Sequence, residues 1–126
     1  MDDKSFHEMH MDTFRSFTAH LKGLADKEEG AALLNLASHF ALLSSAPSKV
    51  MDEGPELVAR FFTVAPHLAP TFPRDLLWYL GGECLHFMPD EEIEALTIMD
   101  EQRREAAAKG EFFNWRELRA ASRGLQ

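Results

Sequence analysis

The sequence predicts an all-α fold, and three observations carry that expectation. Apolar residues recur at alternating steps of three and four, the spacing of a single helix face. Several of these runs are preceded by a start signal, a side chain bearing oxygen with a glutamate three residues on. Hairpin signals are missing: the chain has no Asn-Gly or Asp-Gly and no sustained two-residue alternation. A hydrophobic content of 45% and a charged content of 27% exclude wholesale disorder. The 126 residues read as a single domain, 1–126. Its predicted architecture is a bundle of five or six helices around a buried central helix at about 73–87.

Taken in order, Ser5 and Glu8 have capping-box spacing, and His10, Phe14, Phe17, Leu21 and Leu24 then mark one face of a helix over about 5–24. Asp26 and Glu29 repeat the cap spacing and open a second helix carrying Leu33, Leu36, Ala37, Phe40 and Leu43. Pro47 ends it, because a proline pushes the preceding residue out of the α region. Residues 48–54 read as a connector and the hinge of the first half. Pro55 then opens a third helix with Leu57, Val58, Phe61, Phe62 and Ala65 inward. Pro66, Pro70 and Pro73 predict a stiff, extended link into the next segment.

That segment, FPRDLLWYLGGECLHF at 72–87, is the densest apolar run in the chain. Read as one helix it is apolar nearly all round, so it must be covered by others. Gly81 and Gly82 in its middle each cost about 1 kcal/mol relative to Ala in a helix interior, which calls for compensation by close helix–helix contact, a kink or a bound partner, with close packing the expected one. Pro89 with Asp90, Glu91 and Glu92 starts a fifth helix, using Ile93 and Leu96 and stopping at Gly110. Asn114 with Glu117 caps the last helix, with Phe113 and Leu118 placed as a hydrophobic staple.

Charge limits the function classes. The chain carries −8, yet residues 103–126 hold six Lys/Arg against three acids, so residues 1–102 carry −11. Such a surface repels phosphate backbones, which argues against nucleic-acid binding by the main body and leaves only a small basic patch in the tail. The lone Cys84 cannot form an internal bridge, no signal-peptide pattern opens the chain, and no apolar run is long enough to span a membrane. These features predict a cytoplasmic protein without membrane contact.

Four clusters could carry chemistry or contact. Glu83 and His86 have the Glu-x-x-His spacing of di-iron bundles, making them metal candidates, but the second copy such sites need is missing. Cys84 could be a nucleophile, yet His86 points to another side of the helix. Residues 7–11, HEMHM, combine imidazoles with thioethers, a set that suits copper, but first-turn residues are expected to fray. Ten Phe, two Trp and one Tyr exceed what so small a core readily holds, predicting an exposed aromatic patch. Phe112, Phe113 and Trp115, beside Arg116, are its expected members. There is no phosphate-binding glycine loop, no Gly-x-Ser-x-Gly and no basic groove interleaved with aromatics.

The stretch ELVARFFTVAPHLAPTFPRDLLWYLGGECLHFMPDEEI, 56–93, resembles a small family of proteobacterial helical proteins described as quorum-sensing-regulated virulence factors. The resemblance covers about a third of the chain and carries no catalytic residues across. It implies a bacterial, compact, all-helical protein. Residues and resemblance together predict a non-enzymatic interaction or regulatory protein that self-associates or docks a protein partner, without a cofactor. The alternative is a metal- or small-ligand-binding bundle, possibly enzymatic, built on Glu83, Cys84 and His86.

Overall fold

The computed structural model describes residues 1–27 and 30–124, with the side chains of 123 and 124 left aside. The described chain is all-α, with no strand among the described residues. Six α-helices run in order: α1 (Asp3–Lys27), α2 (Ala31–Ser44), α3 (Val50–Val64), α4 (Arg74–Leu80), α5 (Asp90–Ala108) and α6 (Trp115–Gly124). Short 3-10 helices at Pro47–Lys49, Pro66–Thr71 and Gly82–Phe87 make three of the connections. No described helix is long and apolar enough to cross a membrane.

Of the predicted face of α1, His10, Phe14, Phe17 and Leu21 are buried and Leu24 is partly buried, while Phe6 and Ala25 extend the buried side at either end. Its start differs. Asp2, rather than Ser5, caps the helix by accepting from the Ser5 backbone N–H at 2.8 Å, and that hydrogen bond holds the Asp2 carboxyl below its usual range. α1 also runs through Asp26, so Asp26 does not open α2; Gly30 precedes that helix, and Glu29 lies outside the described residues.

Residues 48–54 are no hinge. The 3-10 turn Pro47–Lys49 feeds directly into α3 at Val50, leaving Pro55 inside the helix in its second turn. The Pro55 carbonyl accepts from the Cys84 thiol at 3.9 Å, which ties α3 to the segment after α4. The proline-rich link is likewise mostly a 3-10 helix rather than extended chain, with Phe72 and Pro73 in the β region before α4.

Segment 73–87 is central but is not one helix. Leu76, Leu77, Leu80 and Cys84 are buried, while the backbone breaks at Gly81 (φ 65°, ψ −149°) and continues as a 3-10 helix from Gly82 (φ 54°). The glycines are there for backbone conformation, since residues with a Cβ avoid this region. A Cβ on Gly81 would meet nothing closer than the Trp78 carbonyl at 3.9 Å, so packing does not demand a glycine there. The close approach predicted for this pair belongs to Gly54 in α3, where a Cβ would sit 3.3 Å from Leu80.

The core absorbs nearly all the aromatic surface. Phe14, Phe17, Phe40, Phe61 and Phe72 form a run of ring contacts joining α1, α2 and α3, and Phe62 extends it to Phe87. Such pairs contribute about 0.5–1.5 kcal/mol each beyond the area they bury. The carboxyl-terminal stops match expectation. At the end of α5, the Gly110 N–H bonds Ala107 and the Glu111 N–H bonds Ala106, a Schellman motif with Gly110 at φ 69°. Asn114 Oδ1 accepts from the Glu117 N–H at 3.0 Å, capping α6.

Candidate interaction surface

The Glu83/Cys84/His86 region does not assemble a reactive centre. Cys84 is fully buried, and burial pushes its thiol up to about 12, so it is protonated and inert at neutral pH. Glu83 and His86 lie on the exposed side of the 3-10 helix. Among the described residues no group of three or more His, Cys, Asp or Glu is placed to hold a metal ion.

The tail aromatics separate. Trp115 is 1% exposed and cannot belong to a surface patch. Its indole N–H donates to Asp75 Oδ2 at 2.8 Å, and Arg119 Nε donates to Asp75 Oδ1 at 2.7 Å, so one carboxylate on α4 anchors α6. Phe113 is half-buried against the core, Arg116 reaches Thr13 at 3.5 Å, and Phe112 alone of the group stands free at 87% exposure. The staple partner Leu118 is exposed.

Residues 7–11 do not fray. His10 is buried, stacked on Tyr79 at 4.1 Å between Phe6 and Trp115, while His7 Nδ1 lies 2.6 Å from the Tyr79 hydroxyl. His10 Nε2 is buried without a hydrogen-bond partner, and burial pushes the imidazole down to about 4 despite the opposing charge of Asp75. Burial also raises the Tyr79 phenol. Beside them Arg103, 1% exposed, lies over the Phe6 ring and bonds Asp100, Asp3 and the Met1 carbonyl. A cleft of about 370 Å³ opens over Phe6, Trp78 and Tyr79, but its polar groups are spent on one another: Arg103 and Arg104 both hold Asp100.

The larger groove, about 510 Å³, runs between α2 and α3. Leu42, Leu43, Ala46 and Leu57 form its apolar lining, and Lys49, Glu53, Glu56 and Arg60 its rim. Arg60 donates to His39 Nδ1, which ties the rim of α3 to α2. Leu42 is 69% exposed and Leu34, two turns earlier on the same helix, is 48% exposed. Helix α2 contains no Asp, Glu, Lys or Arg, unlike the other five α-helices. Sequence reasoning missed this surface although its signal was present, an uninterrupted uncharged run over 30–48 in a chain that is 27% charged.

No curated protein and no solved structure matches the chain. The model of the PA2817-like family matches residues 3–123, nearly the whole length. The chain therefore belongs to the PA2817-like family.

Proposed function

We propose that this protein works by docking protein through the α2 face, and not by catalysis. The observation that carries the reading is the uncharged α2 helix with Leu42 69% exposed beside a groove that has an apolar floor and a charged rim. Exposed apolar surface with a mixed polar rim is the usual composition of a recognition patch. The disposition of the reactive groups supports the non-enzymatic part: the one thiol is buried and protonated, and His10 is enclosed by rings with its Nε2 reaching no partner.

The resemblance of 56–93 extends the proposal to a bacterial virulence factor whose expression is regulated by quorum sensing. Charge and pattern extend it to a single domain at 1–126 acting in the cytoplasm. Phe112, 87% exposed beside the foot of α6, is a second contact in the same proposal. Capture from a native lysate with wild-type protein and with Leu42→Glu tests the reading, with light scattering on both. Proteins or oligomers lost in the variant support it. Identical capture and identical mass for the two proteins would refute it.

A further inference from the structure

We infer that the occupant of the α2 face is a second copy of this chain, packed about a two-fold axis; the inference rests on the docking role proposed for that face. The outward stripe of α2 is continuous. Ala31, Leu34, Ser38, Ala41, Leu42 and Ser45 recur at helical spacing along its length, and all are exposed. Their small size allows a second helix to approach within the ~8–10 Å typical of packed helices. Leu34 and Leu42 supply the apolar contact.

Charge selects the partner. Two chains of −8 repel one another over most of their surface, and that repulsion is least where neither copy carries charge, which describes α2. A foreign partner recruited by this acidic protein would be basic and would meet an acidic rim. The rim here is balanced instead, with Lys49 and Arg60 against Glu53 and Glu56. A balanced rim beside an uncharged strip is self-complementary: a two-fold axis can set a base of one copy against an acid of the other and repeat the pair in reverse. Fourteen residues make a helix only ~21 Å long, so the contact falls at the small end of specific interfaces. The dimer is therefore a dissociable one, forming at micromolar concentration.

Sedimentation of the full chain from ~5 to ~500 µM tests this. The expected result is a reversible shift from monomer to dimer mass, with Leu42→Glu weakening the dimer about 100-fold. Leu42 is exposed, so this variant folds, and a melting temperature equal to the wild type's at concentrations where both are monomers verifies it. A second variant, Ser38→Cys, should form a disulfide-linked dimer on mild oxidation, while the wild type should not because Cys84 is buried and protonated. A monomer at every concentration overturns the second copy. So does a dimer that is indifferent to Leu42→Glu and lacks the Ser38→Cys cross-link. If the chain stays monomeric but captures another protein that Leu42→Glu loses, the second copy fails and the docking role stands. If neither occurs, both fall.

Discussion

Acidification should unfold this protein through His10, and the size of the effect follows from its surroundings. The imidazole is buried among Phe6, Tyr79 and Trp115 with Nε2 unpartnered, and only Asp75 among the nearby charges favours its protonation, against Arg116, His7 and Arg103. A group held neutral in the folded state and free to protonate in the unfolded state contributes stability above its unfolded value, here 6.5. That stability is lost as pH falls from about 6.5 toward the folded value of about 4. Linkage puts the loss at roughly 2 kcal/mol at pH 5 against a few tenths at pH 7. In a chain of 126 residues this corresponds to about 7 °C of melting temperature. His10→Phe keeps a ring to stack on Tyr79 and removes the proton site. Melting of both proteins at pH 7 and pH 5 should show the variant's advantage growing by about that amount on acidification. Carboxylates elsewhere titrate equally in both and cancel. Parallel losses in the two proteins, or an imidazole NMR titration centred near 6.5, would refute the argument.

Three further substitutions probe the fold. Gly81→Ala should lower stability by about 1–3 kcal/mol through backbone strain, and Gly81→Leu by a similar amount, because the space is open and only φ is at fault; a melting series in which Ala is harmless and Leu severe would restore a packing role. Arg103→Ala should cost about 1.5–3 kcal/mol in urea unfolding, because the bonds to Asp100, Asp3 and the Met1 carbonyl and the cover over the Phe6 ring are lost while Arg104 still pairs with Asp100; an unchanged midpoint would count against those bonds. Asn114→Ala should cost about 1 kcal/mol by removing the cap on the Glu117 N–H, and an unchanged denaturation midpoint would count against that bond.

Helix identity was legible in the sequence wherever one side chain decides it. Pro89 with its acids, Gly110 and Asn114 each act within a turn of their own position, and the boundaries of α5 and α6 follow them. The reading failed where the decision is not local. A glycine pair in an apolar run is compatible with close packing and with a chain break, and only the neighbours settle which. Here Pro55, carried inside α3, packs beside Gly82, where a Cβ would lie 3.5 Å away. Trp115 and Arg119, four apart, share a face, but their burial depends on Asp75, forty residues upstream of Trp115. Sequence spacing shows the pair and not its partner. The aromatic excess was misjudged for the same reason: rings from α1, α2, α3 and the 3-10 turns interlock, and of thirteen only Phe112 is left largely in solvent.

The distribution of charge separates what holds the molecule together from what it presents. Ion pairs join α1 to α5 through buried Arg103 and exposed Asp3, α4 to α5 through half-buried Arg74 and Glu92, and α4 to α6 through Asp75 and Arg119. Each fixes one helix against another, two of the three across 44 residues or more, so these charges have structural partners and their replacement should register in stability. Helix α2 takes no part in that scheme. It is held by Leu36, Phe40 and Leu43 on its inner side and leaves Leu34 and Leu42 outside with no charge to keep them solvated. Exposing such a strip lowers solubility and adds nothing to the folded monomer. Inward substitutions should therefore unfold the protein, whereas Leu42→Glu should leave its melting unchanged and alter only what it binds.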